Sequence, residues 1–382
     1  MSDLEILVNP AARAAVPSDA FGPETRHPWR AHRSLPGYSP TPLRECAQLA
    51  ATLGVRTVLV KDEAERLGLP SFKILGASWA SLTQVQRAWC APTGEPVTLG
   101  SVAQALDRVT GRGLIAATDG NHGRGVARMA ALLGLSAVIL VPTGTAQSRI
   151  DAIVSENAEV RVINGTYDDA VAASADLADA DHLVISDTSW DGYVDTPRAV
   201  IDGYSTMFHE IDDALADQQL PMPNLVALQA GVGAFAAAAL RHYRDGRADV
   251  VRTVIVEPTR ANCLLVSARA GVMTAAPGPH TSSMAGLNCG LPSKLAWPIV
   301  AAGTDTFLAI ADYYAEQAMR ALAAEGIVAG ESGAAGLAGL LALAAEGSPA
   351  ARQQAGLHAD ACVLVVNTEG ATDPVNYRRV VV

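Results

Sequence analysis

Hydrophobic positions along the chain first fall into a regular pattern at Val55. VRTVLVKD is a short β-branched run that predicts a strand. The following ILGASWASLTQVQRAW carries the apolar spacing of a helix. From Leu114 to Asp187 the two patterns alternate. LIAAT, SAVILVP, EVRVIN and HLVIS read as strands. GVARMAALLG, ending on Gly134, SRIDAIVSEN and DDAVAASADLADAD read as the helices between them. NLVALQA with AAAALRHY, and VRTVIVE with a helix near ANCLLVSARAG, extend the series, and ADACVLVVN is one more buried strand. Alternation at this pitch predicts an α/β fold with mostly parallel, doubly wound sheet flanked by helices. The first forty or so residues, rich in Pro, His and Arg, show little periodicity and read as an ordered arm or a partly mobile tail. There is no solenoid repeat and no low-complexity linker, so two lobes, if present, are interleaved in sequence.

Composition narrows the function classes. At 382 residues, with 49% hydrophobic and 18% charged residues, the chain can bury a sizeable core. Aromatics are 5% while Gly alone contributes 33 residues, a balance suited to closely packed helices and backbone-lined ligand loops. The formal net charge of −11 argues against nucleic acid or an anionic membrane as partner. No apolar run approaches a membrane span, and MSDLEILVNP lacks the pattern of a secretory signal, so a cytoplasmic location is expected. Cys46, Cys90, Cys263, Cys289 and Cys362 are scattered without CxxC or zinc-site spacing, so buried thiols and no metal are expected.

Ligands of an open parallel sheet bind at the carboxyl ends of its strands. Four polar or Gly-rich segments fall there: Asp119-Gly120-Asn121-His122-Gly123, Asp187-Thr188, Gly231-Val232-Gly233 and Thr368-Glu369-Gly370. If the strands are parallel in one sheet, all four look onto one rim. Gly231-Val232-Gly233 opens a helix, where backbone N–H groups can approach a phosphate. A simple structural turn explains it equally well, and neither a P-loop nor a full GxGxxG is present. His122, in a tight Gly-rich turn, is a candidate base or a structural residue.

Lys73 sits in Leu69-Pro70-Ser71-Phe72-Lys73-Ile74-Leu75-Gly76. An isolated lysine at a helix start is ordinarily a solvated charge. Here its neighbours are apolar, and a helix N-terminus disfavours a cation. A desolvated amine has a lowered pKa and attacks carbonyls, as Schiff-base chemistry requires.

Ser71-Phe72-Lys73-Ile74-Leu75-Gly76 resembles the lysine motif of fold-type II pyridoxal-phosphate enzymes, the tryptophan-synthase-β and threonine-dehydratase superfamily. More narrowly, Ala117-Thr118-Asp119-Gly120-Asn121-His122-Gly123-Arg124-Gly125 is similar to the signature of the diaminopropionate ammonia-lyase family. Serine and threonine dehydratases carry Ser where this chain has Asp119. Asp187-Thr188-Ser189-Trp190-Asp191-Gly192-Tyr193, Met284-Ala285-Gly286-Leu287-Asn288-Cys289-Gly290 and Thr368-Glu369-Gly370-Ala371-Thr372-Asp373-Pro374 match the same family in the same order. The similarity runs from about Leu35 to the C-terminus.

The resemblance implies pyridoxal 5'-phosphate as cofactor and a small amino acid as substrate. Lys73 would hold the cofactor aldehyde and later protonate the leaving group, and Asn121 would bond the phenolic oxygen. Gly231, Val232, Gly233, Ala234 and Phe235 would supply the phosphate's backbone donors, and Thr368 would face the pyridine nitrogen. Asp119 and Asp187 would act as bases for the two enantiomers of 2,3-diaminopropionate, although an isolated Asp at such a junction is ordinarily an N-cap or turn residue. The expected reaction is α,β-elimination to pyruvate and ammonia. The alternatives are a related lyase or β-replacing synthase using another β-substituted alanine, and a cofactor-binding protein without turnover. The family pattern implies the type II fold, two interleaved lobes each with a mostly parallel twisted sheet flanked by helices: a large cofactor-binding lobe (1–85 and 195–382) and a small mobile lobe (86–194), in a homodimer. Cys263 and Cys289 match family cysteines, leaving open a disulfide or two thiols. Leu69-Pro70-Ser71 and Asn367 depart from the usual family residues, and the segment between Trp89 and Thr110 matches poorly and reads as a surface excursion.

Overall fold

The strands form two sheets, as expected of a type II fold. The structure, a computed structural model, describes residues 3–12, 15–17, 24–91, 94–106, 111–118, 120–244 and 251–382. Among these the strands are β1 (Leu4–Val8), β2 (Leu43–Glu45), β3 (Thr57–Asp62), β4 (Gly113–Ala117), β5 (Ser136–Pro142), β6 (Glu159–Ile163), β7 (His182–Val184), β8 (Leu225–Gln229), β9 (Arg252–Pro258), β10 (Thr306–Ile310) and β11 (Cys362–Asn367). Seven of them pair in the order β1-β10-β9-β8-β11-β3-β2, and four in the order β6-β5-β4-β7.

The chain divides into two compact units. One comprises Met1–Pro23, Pro40–Glu65 and Glu210–Val382 and carries the seven-stranded sheet. The other comprises Glu24–Ser39 and Arg66–His209 and carries the four-stranded sheet. The segment 86–194 lies inside the second unit, whose limits are wider.

In the first unit the five inner strands are parallel, and β1 and β2 run antiparallel at the two edges. The inner strands are buried along their whole length or nearly so, as their continuous apolar runs predict for a sheet covered on both faces. The helix Glu331–Glu346 lies on this sheet, and its small residues permit a close approach. A Cβ on Gly339 would fall 2.4 Å from Val256 Cγ2, and one on Gly336 would fall 3.0 Å from the Ala227 carbonyl oxygen. The described part of the N-terminal segment includes a strand that its hydrophobic pattern did not predict. Leu4 to Val8 pair residue by residue with Ile310 to Thr306 of β10.

In the second unit all four strands are parallel. Ile115, Ala117, Leu140, Ala170, Val171 and Val184 form its core between the sheet and the helix Tyr167–Asp176. The helix Lys73–Trp89 is fixed by two close crossings. Gly125, in the helix Asn121–Leu133, has no room for a Cβ larger than contact with Ala77, at 3.0 Å. A Cβ on Gly203, in the helix Asp195–Asp217, would meet the Leu75 carbonyl oxygen at 2.5 Å. The poorly matched stretch contains a short helix, Leu99–Ala105, closed by a reciprocal Thr98–Ser101 capping box. No described helix is long and apolar enough to cross a membrane.

Candidate active site

The four expected segments do not share one rim, because their strands belong to two sheets. Two lie past β4 and β7 of the four-stranded sheet, and two past β8 and β11 of the seven-stranded sheet. In each sheet the two strands concerned are adjacent and parallel. They also flank the point where strand order reverses. The chain runs from β4 to β5 and β6 on one side and returns to β7 on the other, and β9 and β11 lie on opposite sides of β8. Such switch points open a crevice at the carboxyl ends of the strands.

At the β4–β7 switch, Thr118 organises the turn. Its Oγ1 accepts from the N–H of Gly120 at 2.9 Å and of Gly123 at 3.1 Å, closing the start of the helix Asn121–Leu133. Gly120 holds φ +147°, which a side chain would strain. Asn121 is the first residue of that helix. Asp119 lies outside the described residues. His122 is buried, and its Nε2 donates to the Ile185 carbonyl at 2.7 Å, tying the end of β4 to the end of β7. A carbonyl only accepts, so this nitrogen carries the proton. The histidine acts in the framework of the turn.

Lys73 is the first residue of the helix Lys73–Trp89. Phe72 packs on Tyr204 with ring centroids 4.7 Å apart, and Ile74 and Leu75 are buried. The lysine therefore sits in an apolar frame, with its side chain 21% exposed. Its Nζ donates to Asp187 Oδ2 at 2.6 Å, and the Tyr167 hydroxyl donates to Asp187 Oδ1 at 2.8 Å. Burial pushes the Asp187 carboxyl up. The Lys73 charge, with His122 and the bonds from Lys73 and Tyr167, outweighs it and holds the group well below the usual carboxylate range. Asp187 is thus an oriented, ionised carboxylate with an amine beside it.

At the β8–β11 switch, Gly231-Val232-Gly233 leads into the helix Ala234–Arg244. Gly233 holds φ +97°, a conformation that favours glycine. A Cβ on Gly231 would lie 2.9 Å from Cys289 Sγ. Ala237 N–H donates to the Gly233 carbonyl at 2.8 Å, opening the helical ladder. The first N–H groups of an α-helix point along its start, where an anion is favoured. Thr368, just past β11, is buried, and its Oγ1 accepts from Gln229 Nε2 at 2.8 Å. Asn367, one of the departures from the family pattern, donates to Asp62 Oδ1 at 3.0 Å and to the Val328 carbonyl at 2.9 Å. All five cysteines are thiols, and Cys263 and Cys289 flank Gly231.

Each cluster by itself carries groups that pyridoxal 5'-phosphate uses: in one an amine in an apolar frame, in the other a glycine-lined helix start suited to a phosphate and a neutral hydroxyl suited to a ring nitrogen. Two residues of the clusters escaped the sequence reading. Tyr167 opens the helix Tyr167–Asp176, one residue before the helical pattern in the sequence begins. Gln229 was read as the end of an apolar strand. A polar amide closing a buried strand just before a Gly-rich loop was the available signal.

Comparison with known proteins agrees with this chemistry. The family model for pyridoxal-phosphate dependent enzymes matches residues 35–366. Diaminopropionate ammonia-lyase of Escherichia coli K12 is 37% identical over 359 residues, covering 92% of this chain and 89% of its own. The crystal structure of the Escherichia coli enzyme in complex with D-serine superposes with a TM-score of 0.90 at 34% identity, over 99% of this chain and 96% of that one. The structure of the same enzyme with an aminoacrylate-PLP azomethine reaction intermediate gives a TM-score of 0.86 at 34% identity over the same shares. With the motifs, the two switch-point clusters and near full-length similarity in accord, the chain belongs to the fold-type II pyridoxal-phosphate dependent enzymes and, within them, to the diaminopropionate ammonia-lyase family.

Proposed function

We propose that this chain is a pyridoxal-phosphate-dependent ammonia-lyase that eliminates the β-amine of 2,3-diaminopropionate, D, L or both. One substrate and one water yield pyruvate and two ammonia. The observation that carries this reading is the contact of Lys73 Nζ with the ionised Asp187 carboxylate at 2.6 Å. When bound, the cofactor supplies a carbonyl carbon for amines and a conjugated ring that accepts electrons from the substrate α-carbon.

The chain's own residues divide the remaining work. Lys73 holds the cofactor through Nζ and later hands a proton to the departing amine. Asp187 Oδ2 takes the α-proton of one enantiomer, and Asp119 that of the other. Each carboxylate also attracts the substrate's second, cationic amine. The Tyr167 hydroxyl keeps Asp187 oriented after Lys73 has turned to the cofactor. Asn121 bonds the phenolic oxygen, the N–H groups of Gly231, Val232, Gly233, Ala234 and Phe235 bind the phosphate, and Thr368 meets the ring nitrogen. A large lobe (1–85 and 195–382), a small mobile lobe (86–194), a homodimer and a cytoplasmic location complete the proposal, on the strength of the family pattern.

A substrate panel tests the reading. Purified protein loaded with the cofactor is expected to release pyruvate and ammonia in a 1:2 ratio from D- or L-diaminopropionate, and to act more slowly on serine and threonine. Turnover of another β-substituted alanine with none on either diaminopropionate enantiomer would assign a different substrate. Consumption of a second nucleophile without pyruvate would assign a synthase.

A further inference from the structure

β8 ends on Gln229, a buried carboxamide closing an apolar strand. Four acceptors surround its Nε2: the carbonyls of Ser332 at 3.0 Å, Gly333 at 3.1 Å and Val366 at 3.0 Å, and Thr368 Oγ1 at 2.8 Å. The three carbonyls settle which end of the amide faces them. A flipped amide would set its oxygen against three carbonyl oxygens, so the nitrogen must be there. The other end is left in an unusual state. Gln229 Oε1 is buried without a hydrogen-bond partner among the described residues, beside Gly336, whose Cβ would lie 2.9 Å away. A native fold rarely leaves a buried amide oxygen unsatisfied, and such an exception calls for a reason.

The reason lies in the direction of one proton. An amide nitrogen donates and does not accept. Thr368 Oγ1 is therefore an acceptor toward Gln229, and its own hydroxyl proton must point elsewhere. We infer that Gln229 is a positioning residue that turns the Thr368 hydroxyl proton away from the amide and toward the ring nitrogen of the bound cofactor, which favours the unprotonated ring. This deepens the proposed function and rests on its placement of the ring nitrogen at Thr368. A hydroxyl free to rotate would accept a proton from the ring as readily as donate one. With one lone pair taken by the amide, the hydroxyl proton is turned away from Gln229 and only one lone pair is left to accept from the ring. An unprotonated ring withdraws electrons less strongly, which favours loss of a β-substituent over prolonged storage of charge at the α-carbon.

The test uses holoenzyme carrying pyridoxal phosphate labelled with 15N at the ring nitrogen. In the wild type its NMR resonance is expected in the range of a neutral, hydrogen-bonded pyridine. Thr368→Val should move it toward neutral pyridine without a hydrogen bond, and Thr368→Ser should keep the wild-type position. Gln229→Met, similar in length, should move it in the same direction as Thr368→Val but less far. If Gln229→Met does not fold, Gln229→Asn serves instead, since it keeps the amide but is one methylene too short to hold Thr368. A pyridinium resonance in the wild type would overturn the inference. No shift in Thr368→Val would remove the placement on which it rests. A shift in Thr368→Val with none in the Gln229 variant would leave that placement standing and refute the role of Gln229.

Discussion

Lys73 Nζ and Asp187 Oδ2 lie 2.6 Å apart, and the Tyr167 hydroxyl holds the other carboxylate oxygen at 2.8 Å. The carboxylate is thereby kept ionised in a buried position, as a base must be. The amine is held where a carbonyl can reach it. If Lys73 carries the cofactor, the wild type shows an absorbance band near the visible edge that survives gel filtration, and borohydride fixes the added mass on the peptide containing Lys73. Lys73→Ala should lose both signals. A folded wild type without the band would remove the basis of the site.

Away from that site, Lys61 and Glu210 form a fully buried pair. Lys61 Nζ donates to Glu210 Oε2 at 2.8 Å and to the Thr41 carbonyl at 2.7 Å. Removing one partner leaves a buried charge uncompensated, so Glu210→Ala should destabilise by about 3–5 kcal/mol in urea unfolding. Replacing both, as Lys61→Met with Glu210→Leu, should cost much less, because desolvation of both charges disappears together. Equal losses in the single and double variants would show that the pair is not the cause.

The crossing of the helices Lys73–Trp89 and Asp195–Asp217 depends on missing side chains. A methyl on Gly203 meets the Leu75 carbonyl oxygen at 2.5 Å and Gly76 Cα at 2.9 Å, both backbone atoms that cannot rotate away. Gly203→Ala should cost about 1–3 kcal/mol of overpacking and shift the helix turn that presents Lys73. Gly100, in the helix Leu99–Ala105, has open space at the same position, so Gly100→Ala should be neutral or stabilising by up to about 1 kcal/mol. Denaturant midpoints of the two variants separate steric from helix-propensity effects.

Glu257 makes stability depend on pH. Burial pushes its carboxyl up to about 8, against N–H bonds from Leu264 and Leu265, each at 2.8 Å. An unfolded glutamate titrates near roughly 4.3. Between these values the folded chain holds a proton that the unfolded chain has lost. The stabilisation is complete below the lower value and is lost as pH rises through the upper one, by at most about 1.4 kcal/mol per pH unit. Glu257→Gln should flatten this decline. Parallel stability curves for wild type and variant between pH 5 and 8 would contradict the assignment.

Most of the strands and turns that carry the proposed site were legible because buried parallel strands and the turns after them have strong local patterns. β4 and β5 lie within a residue of their apolar runs, β11 begins three residues into its run, and Gly134 ends its helix in the left-handed conformation, as expected of a glycine there. The allocation of strands to sheets was not legible. β11 pairs with β3, matching Cys362 with Thr57, across most of the chain, and no local pattern encodes that choice. β1 escaped because its burial comes from edge pairing with β10, a partner far along the chain. Tyr167 and Gln229 escaped for a related reason. Each acts on a residue brought near by sheet order, Asp187 through the β4–β7 pairing and Thr368 through the β8–β11 pairing.

The most direct measurement compares pyruvate release from D- and L-diaminopropionate by the wild type, Asp119→Asn and Asp187→Asn. A positioned base contributes typically about 10²–10⁴-fold. The account predicts that the wild type uses at least one enantiomer, and that each variant loses on the order of 10²-fold or more against the enantiomer whose α-proton faces the missing carboxylate. Unchanged rates in both variants on both enantiomers would contradict the two-carboxylate mechanism, and a wild type inert toward both would contradict the proposed substrate.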